Sequence, residues 1–207
     1  MALTILITGF WHESMITVYL IGVSVVIALL IGVPLGVAGA LNDRVSAVLR
    51  VVADTLQTLP SFVYLVPVVM LFQVGDIPAI IAVVMYAVAP AIRYTDLGLR
   101  RVDPTLIEAS RMMGCSRLQT LRRVQLPMAL PEILLGLNQT VMLAISMLVI
   151  TALVGTRDLG QAVYMGLSRA DTGLGLVAGA CVAFIAIIAD RLLQALAERR
   201  RAALGLR

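Results

Sequence analysis

The sequence predicts an all-α polytopic membrane protein of about five transmembrane helices, with a cytoplasmic two-helix loop between the third and the fourth. Three observations predict this fold class. Of the 207 residues, 60% are hydrophobic and 14% are charged, whereas a soluble domain is nearer half apolar and a quarter charged. The mean hydropathy is +1.00. Long uncharged runs recur along the chain and arginines flank them, as is typical of membrane spans.

The first two spans differ in how they accommodate the membrane. The first is predicted over residues 15–41, which carry no charge and exceed the helix length that a ~30 Å hydrocarbon core requires. We therefore expect this helix to tilt or kink. The second is predicted over residues 55–75, after a short amphipathic link at residues 45–54. Because it contains Pro60 and Pro67, we expect it to be broken or kinked.

Three further spans are predicted at residues 77–93, 133–156 and 172–190. A polar loop covers residues 94–132, and a basic tail covers residues 191–207. A small polar segment before the fifth span is predicted to contain one short helix. The first ten residues are apolar but too short to span, so we expect an interfacial segment there. The whole chain is interpreted as a single transmembrane domain.

The arginines predict the orientation of the chain. All 16 Lys and Arg residues are arginine. With five spans, only Arg157 and Arg169 fall on the side opposite the polar loop and the tail. The positive-inside rule then predicts an external N-terminus, a cytoplasmic C-terminus and a cytoplasmic loop. No basic residue precedes Arg44, so a cleavable signal peptide is not expected.

The cytoplasmic loop is predicted to form two short helices that meet at a glycine. Asp103 can cap the first helix, and Gly114 can adopt the left-handed conformation that ends it. Ser116 and Gln119 have the spacing of a capping box for the second helix. We expect Pro127 and Pro131 to break the chain before the fourth span.

Two interpretations of this hairpin remain open from the residues alone. Leu106, Ala109 and Met113 share one apolar face of the first helix, while arginines dominate the rest of the stretch. Such a hairpin suits an anionic lipid surface, and it equally suits a protein partner.

The spacing of the loop resembles a known signature. Glu108-Ala109-Ser110, three residues, Gly114, nine residues and Val124-Gln125-Leu126-Pro127 resemble the EAA motif of ABC importer permeases, E-A-A-x3-G-x9-I-x-L-P. Ser110 and Val124 are conservative departures from it. The resemblance implies the core of a type I ABC importer permease, in which this loop couples to a cytoplasmic ATPase. The implied coupling residues are Glu108, Ala109, Ser110, Arg111, Gly114, Leu126 and Pro127.

The resemblance extends to one group of these permeases. Residues 54–67, 125–131, 137–140 and 158–160 resemble the osmoprotectant permeases of the glycine betaine/proline betaine/choline type. Thr156-Arg157-Asp158 departs from the small residues expected there. The resemblance implies a bacterial or archaeal inner-membrane location and a second permease subunit, which we expect to form a homodimer. It also implies two ABC ATPase subunits that hold ATP and magnesium, and an extracytoplasmic binding protein.

The sequence excludes several chemistries for this chain. Without lysine it cannot carry the phosphate-binding lysine of a P-loop ATPase. It contains no catalytic triad, metal cluster or CxxC motif, so we predict no catalytic residue, metal or cofactor in the chain itself. Cys115 and Cys181 are expected to lie at different depths and to form no disulfide. The arginine pattern indicates membrane topology and lipid contact, and nucleic-acid binding is not expected.

Neutral polar side chains are candidates for a translocation path. Within the predicted spans they are Gln57, Ser61, Asn138, Gln139, Thr140 and Ser146. An alternative is that they only form hydrogen bonds between helices. We predict a weakly selective gate for a betaine-type solute, with another small solute such as trimethylamine N-oxide or an amino acid as the alternative. A lipid-binding membrane protein without transport activity is the remaining alternative.

Overall fold

The computed structural model describes residues 9–203, which are almost entirely helical. The start of the predicted interfacial segment and the end of the basic tail lie outside these residues. The helices are α1 (Trp11–Leu41), α2 (Asp43–Thr58), α3 (Ser61–Phe72), α4 (Asp76–Arg100), α5 (Pro104–Met112), α6 (Arg117–Thr120), α7 (Leu126–Thr151), α8 (Leu159–Ser168) and α9 (Thr172–Ala203).

Three long helices, α1, α4 and α7, form the centre of the bundle. Leu20, Val83 and Met147 contribute one fully buried side chain from each, and Tyr64 of α3 joins the same cluster. Small residues allow the backbones of α1 and α4 to approach closely, because a Cβ atom at Gly36 would lie 2.7 Å from the carbonyl oxygen of Ile92. Close approach through small residues is how membrane helices gain packing energy.

The described helices confirm the predicted fold class. α1, α4, α9 and the continuous helix Arg117–Val154 are long and apolar enough to cross a membrane. α2 and α3 meet at an angle of 91°, so the pair is either one broken span, which gives a fifth crossing, or a re-entrant loop. The bend occurs at Leu59-Pro60, because Pro60 lacks a backbone N–H and restricts the residue before it. The break expected in the second span is therefore present.

Several helices continue beyond the predicted spans. α4 extends to Arg100 instead of ending near residue 93, and α9 extends to Ala203 instead of ending near residue 190. α2 starts at Asp43, so it includes the predicted amphipathic link. The predicted spans end where the uncharged runs end, whereas each helix continues past its apolar run through charged residues in helical conformation.

The predicted break at Pro127 and Pro131 is wrong. The chain is helical from Arg117 to Thr151, with a π turn at Leu121–Gln125 in which the N–H of Leu126 bonds to the carbonyl of Leu121. Proline disrupts a helix because its ring clashes with the carbonyl four residues earlier. The wider π turn directly before Pro127 relieves that clash. The second helix of the loop and the following span are therefore one continuous helix.

Candidate functional site

The loop between α4 and α7 begins with a capped helix. The Asp103 carboxylate accepts hydrogen bonds from the backbone N–H of Thr105 at 2.9 Å and from its hydroxyl at 2.8 Å. Both bonds hold the pKa of Asp103 below its ordinary value, the backbone bond most of all. Pro104 occupies the first turn, where its missing N–H costs nothing. The start of α5 is therefore as the sequence predicts.

The end of α5 is a Schellman motif at Gly114. The N–H of Gly114 bonds to the carbonyl of Arg111 at 2.9 Å, and that of Cys115 bonds to the carbonyl of Ser110 at 3.1 Å. Gly114 has a φ of +81°, which confirms its predicted left-handed conformation. A Cβ atom there would meet nothing within 4 Å. The backbone of Gly114 is therefore exposed, with no other part of the chain near the position of a side chain.

The second helix of the loop starts with the predicted capping box. Gln119 accepts from the N–H of Ser116 at 2.8 Å, and the Ser116 hydroxyl accepts from the N–H of Gln119 at 3.4 Å. These reciprocal bonds satisfy two backbone donors at the helix start. Together with Gly114, they fix the turn between α5 and α6.

Ser110 holds the two short helices together. Its buried hydroxyl donates to the carbonyl of Ile107 at 2.8 Å and lies 3.1 Å from the buried hydroxyl of Thr120 in α6. Below this contact, Leu121 packs with residues at the end of α4 and the start of α7. Ser110, one of the departures from the EAA pattern, therefore adds a polar contact inside the hairpin.

The opposite side of the hairpin is exposed and apolar. We call this the outer face of the hairpin; it consists of Leu106, Ala109, Met112, Met113 and Leu118. Met112 and Met113 are 89% and 85% exposed.

Among the predicted coupling residues, Glu108, Arg111 and Gly114 are also exposed. Leu126 packs inward, and Pro127 is exposed. Of the predicted coupling residues, five lie in the hairpin and its turn, and Leu126 and Pro127 begin α7.

A polar network that the sequence analysis missed lies at the end of the bundle next to the loop. Arg100 donates to Asp96 at 2.6 Å, to Asp43 at 2.7 Å and to the carbonyl of Gly39 at 2.9 Å. Asp96 is nearly buried and also accepts from the Ser46 hydroxyl at 2.6 Å. The i,i+4 spacing of Asp96 and Arg100 was a usable signal. The network fixes the ends of α1 and α4 under the hairpin.

The path candidates of α7 fall on different sides of the helix. The Asn138 amide donates to Asp190 of α9 at 2.8 Å, and Thr140 is fully buried. These two therefore lie in contacts between helices. Gln139 and Ser146 are exposed and two turns apart, so they share one open face. The Ser146 hydroxyl bonds to the carbonyl of Met142 at 2.9 Å.

The remaining path candidates, Gln57 and Ser61, flank the bend between α2 and α3. Both are half-buried. Tyr64, one turn into α3, donates from its hydroxyl to the carbonyl of Leu56 in α2. This bond ties the two halves of the broken helix together across the bend.

Asp158 anchors α8 at the end of the bundle away from the loop. It is 1% exposed and accepts from the N–H of Gln161 at 3.0 Å, so it caps α8. Its other oxygen, Oδ2, has no hydrogen-bond partner within residues 9–203. Burial raises the pKa of Asp158, and the hydrogen bonds it accepts oppose this only in part. The next residue, Leu159, donates its N–H to Thr17 of α1 at 3.0 Å.

Asp158→Asn is expected to stabilise the folded protein at neutral pH. A folded pKa above the unfolded value means that the native state binds more protons, so stability falls as pH rises from about 4, the unfolded value, through the raised value. Asparagine keeps the cap and removes the buried charge. Thermal unfolding in detergent at pH 4.5 and pH 7.5 measures this. Between these two pH values, the unfolding temperature of the wild type should fall more than that of the variant. An equal change in both proteins would contradict the prediction.

Comparisons with known proteins agree with these features. The family described as "Binding-protein-dependent transport system inner membrane component" matches residues 32–202. The chain belongs to this family. By family, this inner membrane component is part of a transport system.

Two curated relatives resemble this inner membrane component along most of its length. The glycine betaine/proline betaine transport system permease protein ProW of Escherichia coli K12 is 44% identical over 193 residues, which are 93% of this chain and 54% of ProW. The trimethylamine N-oxide transport system permease protein TmoV of Ruegeria pomeroyi is 40% identical over 200 residues, 97% of this chain and 30% of TmoV. The chain spans about half of the first relative and less than a third of the second.

A solved structure has the same fold. It is an inward facing conformation of the MetNI methionine ABC transporter, which superimposes with a TM-score of 0.74 at 24% identity. The match covers 92% of this chain and 94% of that one. At this identity, the likeness concerns the fold alone.

Proposed function

We propose that this inner membrane component is the transmembrane permease subunit of an ATP-driven ABC importer for a betaine-type osmoprotectant. The observation that carries the proposal is the hairpin α5–α6. Its two helices are bonded to each other through Ser110 and Thr120, and Leu121 packs with residues of α4 and α7, while its outer face presents exposed apolar side chains. A rigid hairpin with an exposed apolar face has the properties of a docking element.

The outer face favours a protein partner over a lipid surface. Exposed methionines suit an apolar groove, because their flexible thioether side chains adapt to the surface that they meet. Glu108 lies exposed beside them. A carboxylate there can pair with a basic side chain of a protein, whereas the exposed arginines of the same stretch suit either surface. The proposed partners are two cytoplasmic ABC ATPases, which hold ATP and magnesium.

The continuous helix supports a mechanism of alternating access. Because α6 and α7 join through the π turn without a break, movement of the hairpin carries α7 with it. α7 is packed against α1 and α4 in the core. Closure of the ATPases on ATP would thus rock the spans between inward-open and outward-open arrangements. This requires the hairpin on the cytoplasmic side, with the N-terminus outside and the C-terminus inside.

The open face of α7 supports a path between two copies of the permease. Gln139 and Ser146 lie on this face. A glutamine amide facing hydrocarbon would lose its hydrogen bonds, so a solute path or a second subunit is the better environment. Asn138 and Thr140 belong to contacts between helices and contribute indirectly. We propose a homodimer with Gln139 and Ser146 lining the path, and Gln57 and Ser61 at the bend beside it.

The substrate class follows from the relatives. ProW is named for glycine betaine and proline betaine, and TmoV for trimethylamine N-oxide. These solutes are small and carry no net charge, which suits a path lined by neutral polar groups. Tight recognition is assigned to an extracytoplasmic binding protein. Trimethylamine N-oxide is the second candidate, because of the identity with TmoV.

Reconstitution tests this function. The permease is purified with its co-expressed ATPase, placed in liposomes with the binding protein, and supplied with ATP and labelled glycine betaine. ATP-dependent uptake is expected, with competition by proline betaine, carnitine and trimethylamine N-oxide ranking the substrates. A permease that purifies without any ATPase, or vesicles that take up none of these solutes, would contradict the proposal.

A further inference from the structure

Glu132 lies in the second turn of α7, shares a cavity lining with Asp103, which caps α5, and contacts two arginines from other segments. Its Oε1 atom is 3.1 Å from Nη2 of Arg201 in α9 and 3.6 Å from Nη1 of Arg101, the residue that ends α4. We call Glu132, Arg101 and Arg201 the Glu132 cluster. The Glu132 side chain is only 19% exposed, so its charge is partly withdrawn from water.

The backbone around Glu132 is closely packed. A Cβ atom on Gly98 of α4 would lie 2.9 Å from the Cβ of Glu132 and 3.3 Å from the carbonyl oxygen of Ala129. Glu132 therefore lies at a close approach of α4 and α7. Its carboxylate borders a cavity of about 310 Å³ that Arg101 and Arg201 also line. The position of the carboxylate is set by helix packing, and the two arginines reach it from outside.

A second polar contact joins α7 and α9 farther along the same seam. Asp190 of α9 accepts from Asn138 at 2.8 Å and from Gln194 at 2.7 Å. The Glu132 cluster and this contact therefore fasten α9 to α7 at two points. Only the Glu132 cluster also includes the end of α4, so it joins three helices next to the hairpin.

We propose that the Glu132 cluster positions the hairpin relative to α4 and α9, so that movement of the hairpin moves all three helices together. The proposal rests on the proposed function, since it concerns how ATPase movement reaches the spans. α7 follows the hairpin because the helix is continuous from Arg117. α4 joins the hairpin through residues 101–103, whereas α9 follows through side-chain contacts, and Glu132 is the charged group that contacts both α9 and the end of α4. Glu132, Arg101 and Arg201 are thus positioning residues.

Loss of the cluster should affect coupling more than folding. Arg201 is 45% exposed and Arg101 is 62% exposed, so each guanidinium remains hydrated when its partner is removed. Exposed ion pairs contribute little to stability for this reason. The geometric role of the cluster is lost in full when the Glu132 carboxylate is removed, because two like-charged arginines then remain without the group that they both contact.

The test compares Glu132→Gln and Arg201→Gln in the reconstituted permease–ATPase complex with its binding protein. The measured quantity is the number of ATP molecules hydrolysed per glycine betaine transported. We expect a rise of about two- to fivefold in both variants. Arg201→Lys, which keeps the charge, should restore the wild-type ratio. Arg200→Gln is the matched control, because Arg200 is an exposed neighbour on the same helix.

The outcomes separate this proposal from the proposed function. A wild-type complex that couples ATP to uptake, together with unchanged ratios in both variants, would overturn the positioning role and leave the permease function intact. Variants that unfold at a lower temperature in detergent, but hydrolyse as many ATP molecules per glycine betaine as the wild type, would show that the contact is merely structural. That result would also overturn the positioning role. Failure of the wild type to recruit an ATPase or to transport would overturn both.

Discussion

Replacing Gly114 by aspartate is expected to reduce ATP-driven uptake more than about tenfold, while the permease still folds and inserts. Gly114 has a φ of +81°, and a side chain there would meet no atom of this chain within 4 Å. The substitution therefore removes no internal contact. It adds a carboxylate to the exposed turn of the hairpin, next to Met113 of the outer face, where an ATPase would have to desolvate it. An unpaired charge buried at an interface costs several kcal/mol, enough for this loss.

The backbone strain of this substitution is the smaller effect. An L-residue in the left-handed conformation costs ~1–2 kcal/mol, and aspartate and asparagine tolerate it best. Gly114→Asn is therefore the matched control, because it has the same size and the same backbone tolerance without the charge. Uptake, ATP hydrolysis and co-purification of the ATPase are measured for both. Normal uptake by Gly114→Asp would show that the outer face is not the docking surface.

The local features of the hairpin could be predicted because each depends on residues close in sequence. The Asp103 cap, the left-handed Gly114 and the Ser116–Gln119 capping box each need only a few consecutive residues. Tertiary packing did not override them, because the hairpin is exposed on one side. The four long apolar helices were predictable for a related reason, since hydropathy averages over about 20 residues.

The features that the sequence did not specify lie where one helix contacts another. The π turn at Leu121–Gln125 allows the helix to continue past Pro127, and short-range proline rules do not anticipate it. The Asn138–Asp190 contact spans 52 residues, so periodicity could not distinguish it from a path-lining role. The partners of Arg100 include a carbonyl 61 residues away. Such pairings follow from helix packing, which a single sequence does not specify.

Gly36→Ala is expected to destabilise the fold by about 3 kcal/mol, the upper end of the usual cost of overpacking. The added Cβ would lie 2.6 Å from the Cβ of Thr95 and 2.7 Å from the carbonyl oxygen of Ile92. The Thr95 side chain is fully buried, and the Ile92 oxygen belongs to the backbone of α4. Neither can move away without separating α1 from α4. Thermal unfolding in detergent should show a markedly lower midpoint, and Gly36→Leu should prevent accumulation of folded protein.

Gly22→Ala in the same helix is the matched control for this prediction. A Cβ atom at Gly22 would meet nothing within 4 Å, so alanine adds only helix propensity, which favours it by up to ~1 kcal/mol. The two substitutions are chemically identical and differ only in what faces the new methyl group. An unchanged midpoint in both would mean that α1 and α4 are not closely packed at Gly36. A loss confined to Gly36→Ala would instead show that α1 and α4 are closely packed at Gly36, one turn before Gly39, whose carbonyl accepts from Arg100.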